Sequence, residues 1–248
     1  SIGFVSTVLL SQFLDSLCGD ESGRGGFITS SFFTVEVNGR DDFFSGILLC
    51  GNIIIDGKAN GVALYCRQLP KAIMTGLGFA DFDMEGRYIQ ADYENLSVAC
   101  LLAPRAEQGN QEQQDRKNEF FELFANHLQK VRNKRREFII CGNWNIAHTA
   151  ADVQDTESNS TTSGFLAEER QWMSELLESG YVDAFREINS DQDEFSWWPD
   201  GSQGSNGWRT DYHVISQGLK YTVDYGAIYK SKMFSSHAPV IMDYDIEL

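Results

Sequence analysis

The chain has 248 residues, of which 42% are hydrophobic and 23% charged, so it can bury a large core as a single domain spanning residues 1–248. No run of 18 or more apolar residues occurs, which argues against a membrane-spanning helix and predicts a soluble protein. The formal net charge of −16 repels nucleic acid at long range, so any nucleic-acid role requires a local basic patch.

The predicted elements alternate between strands and helices. The longest apolar run, Ile47–Ile55, includes Gly51 and Asn52 and predicts a buried strand. Apolar residues at helical spacing, opposite a charged face, predict helices at Gln113–Arg132 and Ala167–Glu178. Further strands are predicted at Gly61–Tyr65, Tyr88–Tyr93, Ser97–Leu102, Phe138–Cys141, Tyr212–Ile215 and Val240–Tyr244. Strands joined by helices, with hairpins between them, favour an α/β fold.

Two segments are unusually polar. Gln154–Ser163 predicts a surface loop. A second segment carries five cations in seven residues, namely Lys130, Arg132, Lys134, Arg135 and Arg136. It is either the solvated end of a helix, where cations face the negative end of the dipole, or a basic patch for nucleic acid. A helix end alone needs only one or two of the five.

The cysteines and histidines show no metal-binding or disulfide pattern. Five cysteines are an odd number and lie far apart, at Cys18, Cys50, Cys66, Cys100 and Cys141. We expect reduced core thiols in a cytoplasmic protein, and the N-terminal residues lack the features of a secretory signal. His127, His148 and His213 lack the partner spacing of a zinc site.

Three segments of the second half of the chain carry the chemistry. Gly142–His148 reads Gly-Asn-Trp-Asn-Ile-Ala-His, Gly207–Tyr212 reads Gly-Trp-Arg-Thr-Asp-Tyr, and Phe234–Pro239 reads Phe-Ser-Ser-His-Ala-Pro. In this order they resemble the exonuclease III branch of the endonuclease/exonuclease/phosphatase family, whose segments are Gly-Asp-x-Asn, Arg-Ile-Asp-Tyr and Ser-Asp-His-Ala-Pro. The resemblance implies a four-layer α/β sandwich of the DNase I/exonuclease III type, with two packed mixed β-sheets flanked by helices.

The resemblance also assigns roles to single residues. Asn145 matches the asparagine that orients the phosphate, Asp211 the aspartate of Arg-x-Asp-Tyr, and His237 the histidine that an aspartate holds. Two positions lack the expected acid, because Asn143 replaces the aspartate that activates water and Ser236 replaces the aspartate before the histidine. An amide cannot act as a general base near neutral pH. These five residues therefore predict a vestigial cleft, in which His237 is more a structural histidine than a catalytic one.

Two further groups are missing. Leu102 stands where the family has a tyrosine, and no glutamate occupies the metal-binding position at the end of the second strand. By length alone, that strand would be Phe27–Phe33, after a strand at Ile2–Ser6 and a helix at Gln12–Leu17. The nearest acids are Asp20, Glu21 and Glu36. Loss of the metal ligand removes the Lewis acid as well as the base, so the resemblance predicts a pseudoenzyme without a metal.

The departures themselves resemble a non-catalytic bacterial subgroup, the catabolite repression control proteins. The shared features are Leu-Leu-x-Pro without tyrosine, Lys-Arg-Arg-Glu before the Cys-Gly strand, Ser-x-His-Ala-Pro, and the runs Gly164–Trp172 and Phe195–Asp200. This implies a translational co-repressor that acts with the RNA chaperone Hfq on A-rich mRNA sites. The five cations at Lys130, Arg132, Lys134, Arg135 and Arg136 would contact that assembly, and the acidic net charge predicts weak binding to free RNA.

Two other functions stay open. A Mg²⁺-dependent abasic-site endonuclease and 3′ exonuclease would act through Asn145, Asp211 and His237, with Glu36 or Glu21 as the metal carboxylate. The other is a non-catalytic scaffold of the same fold that binds some other protein. In the run Phe195–Asp200, Trp197 and Trp198 are core or cleft wall, because adjacent residues of an extended segment face opposite sides.

Overall fold

The computed structural model describes residues 2–8, 31–37, 48–52, 61–66, 68–233 and 235–246. The strands are β1 Ile2–Val8, β2 Ser31–Val37, β3 Leu48–Asn52, β4 Val62–Cys66, β5 Ala72–Thr75, β6 Tyr88–Asp92, β7 Leu96–Leu102, β8 Glu137–Asn143, β9 Tyr181–Asp183, β10 Asp211–Ser216, β11 Val223–Ile228 and β12 Val240–Tyr244. The helices are α1 Ala80–Asp83, α2 Gln111–Arg132, α3 Thr156–Asn159, α4 Ala167–Glu178 and α5 Ala184–Ile188. Short 3-10 helices lie at Ala150–Asp152 and Gln217–Thr222.

These strands form two six-stranded mixed sheets. The first has the order β11-β12-β1-β2-β4-β3, and the second has the order β5-β6-β7-β8-β10-β9. Each sheet contains one parallel pair, β2 with β4 and β7 with β8, among antiparallel neighbours. A parallel pair needs a crossover connection, and α2 supplies it between β7 and β8. The predicted α/β architecture with two mixed sheets is therefore confirmed.

The two sheets face each other across one apolar core. Leu64 and Met242 of the first sheet lie in the same buried cluster as Ile89, Cys100 and Ile139 of the second. Cys66, Cys100 and Cys141 are buried as reduced thiols, as expected, whereas Cys18 lies outside the described residues. None of the helices in the described ranges is long and apolar enough to span a membrane.

Helices α2 and α4 cover the other face of the second sheet. Apolar residues of α2 at three- and four-residue spacing, Phe120, Phe124 and Leu128, pack in one buried cluster with Met173 and Leu176 of α4. The side chain of Asn110 accepts a hydrogen bond from the backbone of Gln113 and caps the start of α2. One helix layer and two sheets are thus described, while the helix predicted at Gln12–Leu17 lies outside the described residues.

Three sequence expectations are corrected in detail. The polar stretch Gln154–Ser163 contains α3, because the Asp155 carboxylate accepts from the Ser158 backbone and caps a helical turn. The second strand was expected at Phe27–Phe33, but the described strand β2 continues to Val37. Glu36 therefore lies inside β2, opposite Gly3, rather than after the strand.

Candidate functional site

Strand register brings three of the predicted positions to one level of the second sheet. Leu102 at the end of β7 lies beside Asn143 at the end of β8, and Asn143 lies opposite Asp211 at the start of β10. Side chains of residues paired across neighbouring strands project to the same face of a sheet. Gly142 allows the close approach of β7 and β8: its φ is +141°, and a Cβ there would overlap the Leu101 carbonyl oxygen.

Asp211 and His237 form a buried hydrogen-bonded pair. Oδ2 of Asp211 lies 2.8 Å from Nδ1 of His237 and accepts a 2.7 Å hydrogen bond from Oγ of Ser196. The Ser196 oxygen also accepts from the backbone N–H groups of Thr210 and Asp211, each at 3.2 Å. His237 is only 7% exposed and is held by a bridge to Trp197 and by the Ala238 N–H bond to the Ser196 carbonyl.

The two asparagines shape the loop that follows β8. Oδ1 of Asn143 accepts a 2.8 Å hydrogen bond from the Asn145 backbone N–H, and Nδ2 of Asn145 donates to the Ala103 carbonyl at 2.8 Å. Asn145 has a φ of +51°, a left-handed conformation that asparagine tolerates better than most residues. The oxygen of the Asn143 amide therefore stabilises the conformation of the loop that follows β8.

A buried ion pair contacts the loop that follows β8 and stabilises it. Lys117 of α2 is 1% exposed, and its Nζ lies 2.8 Å from the Asn145 carbonyl oxygen and 2.6 Å from Oε1 of Glu169 in α4. Oε2 of Glu169 accepts the backbone N–H groups of Gly164 and Leu166 at 2.6 and 3.0 Å. Burial lowers the pKa of Lys117, and the Glu169 carboxylate opposes that shift. Sequence reasoning missed this pair, although Glu169 lies within the run Gly164–Trp172.

The outer wall of the cleft is aromatic and basic. Trp198 is buried in the core between the sheets, whereas Trp197 is half-buried with its ring 6.0 Å from that of His237. The guanidinium carbon of Arg105 lies 5.8 Å from the centre of the Trp197 ring. The two tryptophans thus face opposite sides, one as core and one as cleft wall. Ser236 is half-buried, and its carbonyl oxygen accepts the Trp198 N–H.

Arg105 was also missed, and its signal was its place directly after the segment Leu-Leu-Ala-Pro. That segment ends β7 at the cleft, so the residue following it stands at the cleft mouth.

The described part of the cleft offers few carboxylates to a Mg²⁺ ion. Among the residues that the structure describes, no three histidine, cysteine or acidic side chains stand close enough together to hold a metal ion. Of the matched positions Leu102, Asn143, Asn145, Asp211, Ser236 and His237, only Asp211 carries a carboxylate, and Ser196 and His237 are hydrogen bonded to it. Mg²⁺ takes oxygen ligands, usually with at least one carboxylate facing it. Glu21 lies outside the described residues.

The basic segment lies at the far end of the second sheet from the cleft. Strand β8 begins next to that segment, at Glu137, and ends in the cleft at Asn143, so the two regions stand about 20 Å apart. The guanidinium of Arg136 donates to the Tyr93 carbonyl at 2.8 Å, and that of Arg132 donates to the Ser179 carbonyl. These two arginines therefore have structural contacts. The remaining cations, Lys130, Lys134 and Arg135, are exposed.

Two facing mixed sheets, with a histidine–aspartate pair at the strand ends of one, define an α/β fold of the DNase I/exonuclease III type. Residues 26–228 match the model of the Endonuclease/Exonuclease/phosphatase family, and the chain belongs to that family.

Two relatives of known name support this family membership by sequence identity. The chain is 32% identical over 193 residues to the exodeoxyribonuclease of Bacillus subtilis (strain 168), covering 76% of each protein. It is 33% identical over 193 residues to the DNA-(apurinic or apyrimidinic site) endonuclease of Dictyostelium discoideum, covering 75% of this chain and 53% of that protein. The chain thus spans about half the length of the Dictyostelium relative. These matches support an exonuclease III-like member and do not single out the catabolite repression control subgroup.

Solved structures agree on the fold. An AP endonuclease from Archaeoglobus fulgidus superposes with a TM-score of 0.68 at 22% identity, over 73% of this chain and 74% of that chain. The 3′ phosphatase NExo from Neisseria, bound to a product DNA hairpin, superposes with a TM-score of 0.67 at 22% identity and the same coverage. At this identity the likeness shows the fold alone.

Proposed function

We propose that this protein binds a nucleic-acid strand in the nuclease cleft without hydrolysing it. The observation that carries the proposal is Asn143, whose amide stands at the water-activating position and accepts the backbone N–H of Asn145. Losing one general base costs about 10²- to 10⁴-fold in rate. Ser236 and Leu102 stand where the nuclease family has two further functional groups, an aspartate and a tyrosine.

The finer form of this proposal is a translational co-repressor. In this form the protein acts with Hfq on A-rich mRNA sites, as the motif departures at Leu102 and Ser236 suggest by their resemblance to the catabolite repression control subgroup. Exposed Lys130, Lys134 and Arg135 lie away from the cleft and offer a second basic surface for such an assembly. The net charge of −16 favours weak binding to free RNA and a need for a partner that presents it.

A second candidate is an active enzyme, a Mg²⁺-dependent abasic-site endonuclease and 3′ exonuclease. The names of the relatives, an exodeoxyribonuclease and an abasic-site endonuclease, favour this candidate more than the co-repressor. Asn145, Asp211 and His237 are present for it, and Asp211 and His237 are correctly paired. Glu36 or Glu21 would have to supply the metal carboxylate; Glu21 and the side chain of Glu36 lie outside what the structure describes.

Cleavage of abasic duplex DNA separates the two candidates. We expect the purified protein to leave the duplex intact with Mg²⁺ or Mn²⁺. The double variant Asn143→Asp/Ser236→Asp, which restores the two missing acids, is assayed for cleavage beside it. Any cleavage is repeated with His237→Ala, because a contaminating nuclease would be insensitive to that change. Cleavage by the unmodified protein that His237→Ala abolishes would overturn the first proposal and establish the enzyme.

The co-repressor form has its own test. Binding to A-rich RNA is measured with and without Hfq, and we expect weak binding to the RNA alone and a tight complex only when Hfq is also present. The triple variant Lys130→Gln/Lys134→Gln/Arg135→Gln should weaken that complex while leaving the cleft intact. Tight binding to A-rich RNA without Hfq, or no complex with it, would be incompatible with this role.

A further inference from the structure

Arg105 is an exposed arginine at the mouth of the cleft. Its guanidinium carbon lies 5.8 Å from the centre of the Trp197 ring, and the Trp197 ring lies 6.0 Å from that of His237. The segment before it is fixed, because the buried Ala103 accepts the Asn145 side chain at its carbonyl oxygen. Within the described ranges, no carboxylate pairs with Arg105. The ring of Trp197 therefore orients a guanidinium whose hydrogen-bonding edge is open to solvent.

The charge around Arg105 differs from that of a metal-dependent nuclease cleft. Facing carboxylates repel a phosphate until a divalent cation neutralises them. Here Asn143 and Ser236 are neutral, and Asp211 is 3% exposed and lies behind His237, to which it is hydrogen bonded. At the matched positions nothing else is negative, so Arg105 adds a positive charge beside neutral side chains, in a protein whose net charge is −16.

We propose, resting on the non-cleaving nucleic-acid binding described above, that Arg105 binds a strand phosphate directly and without a divalent cation. A guanidinium offers two parallel N–H donors that match two phosphate oxygens, and Trp197 holds it in place by cation–π attraction. Asn143 and Ser236 stand where two acids would repel a phosphate, so their neutral side chains favour direct contact between Arg105 and the strand. Arg105 supplies in binding the positive charge that a divalent cation would otherwise supply.

The test is equilibrium binding of a short labelled single-stranded oligonucleotide, as DNA and as RNA of one sequence, at low salt in EDTA. We expect binding in EDTA that added Mg²⁺ does not strengthen. Arg105→Gln should weaken it about tenfold, as loss of one charged hydrogen-bonding group does. It should also reduce the slope of log affinity against log salt by about 0.7, the contribution of one phosphate contact on a single strand.

Three further variants locate the effect. Arg105→Lys keeps the charge and loses the planar donor pair, so it should bind with intermediate affinity. Trp197→Leu removes the ring under the guanidinium and should weaken binding without changing the salt slope. Lys71→Gln is the matched control, because it removes one exposed positive charge at the end of the sheet away from the cleft, where Lys71 pairs with Glu94. Its affinity should equal that of the unmodified protein.

The outcomes separate this inference from the proposed function. Binding that requires Mg²⁺, or that Arg105→Gln leaves unchanged, would overturn the role of Arg105 while non-cleaving binding stands. Cleavage of the strand would overturn the proposed function whatever Arg105 does. Failure of the unmodified protein to bind either polymer overturns both. Equal affinities for DNA and RNA identify the phosphate alone as the ligand, whereas tighter RNA binding adds a contact to the 2′-hydroxyl.

Discussion

Replacing Lys117 with methionine should lower the free energy of unfolding by about 3 kcal/mol. The Lys117 and Glu169 side chains are 1% and 2% exposed, so the change leaves a buried carboxylate without its cation. Breaking a buried pair by removing one partner costs about 3–5 kcal/mol. The lower end applies here, because Glu169 keeps hydrogen bonds from the side chain of Gln114 and from the backbone of Gly164 and Leu166.

The same substitution removes the donor to the Asn145 carbonyl. Asn145 has a left-handed backbone and is also tied to Asn143 and Ala103 by single hydrogen bonds. Without Lys117 the carbonyl of this strained residue loses its 2.8 Å contact, and the loop that carries the Asn145 side chain is free to relax. Amide hydrogen exchange should therefore rise first at residues 144–147, below the denaturation midpoint.

Urea denaturation at neutral pH measures the effect. The double variant Lys117→Met/Glu169→Gln removes both charges while keeping an acceptor for the backbone N–H groups, and it should regain most of the lost stability. Lys130→Met, an exposed lysine of the same helix, is the control and should stay within about 0.5 kcal/mol of the unmodified protein. A loss of less than about 1 kcal/mol for Lys117→Met, or a double variant no more stable than the single one, would show that the buried pair does not contribute in this way.

Two further predictions concern backbone geometry and pH. Gly142→Ala should destabilise the fold severely, because its Cβ would overlap the Leu101 carbonyl oxygen, whereas Gly109→Ala, with a φ of +79° and no neighbour within 4 Å, should cost about 1 kcal/mol. Equal soluble yields and midpoints for the two variants would contradict this. Burial lowers the pKa of His213 to about 3. As the pH falls, the histidine of the unfolded chain is therefore protonated first, near its ordinary pKa of about 6.5. The contribution of neutral His213 to the free energy of unfolding is complete above about pH 6.5 and is lost as the pH falls toward 3. At about pH 5 the free energy of unfolding should be about 2 kcal/mol lower than at neutral pH because of His213, and His213→Phe should abolish this difference. Denaturation of the variant and the unmodified protein across pH measures it, and parallel profiles for the two would contradict the prediction.

The elements that the sequence predicted well are those whose pattern repeats along one segment. Phe120, Phe124 and Leu128 lie at helical spacing and do form the buried face of α2. The alternation of Trp197 and Trp198 likewise separates a cleft residue from a core residue. In both cases the information is local, because side-chain direction follows from the backbone period.

What the sequence left out depends on contacts between distant segments. The pair of Lys117 and Glu169 joins two helices whose packing no local pattern encodes. The position of the basic segment depends on the length of α2, which has 22 residues and spans about 33 Å. Because α2 begins near the cleft, the basic residues at its other end lie far from the cleft. The short helix α3 was missed because a single capping side chain, Asp155, decides it against a polar background.

The nuclease-like appearance of the cleft is explained by burial as well as by catalysis. Asp211 is 3% exposed, and its carboxylate binds Ser196 and His237, so replacing it would leave those polar groups without a partner in the core. Such a residue is needed for stability whether or not the protein cleaves a phosphodiester. Asn143, by contrast, ends its strand at the cleft, where an aspartate could also have accepted the Asn145 N–H. Stability alone therefore does not require an amide at position 143. The presence of asparagine rather than aspartate there is stronger evidence about activity than the presence of Asp211 and His237.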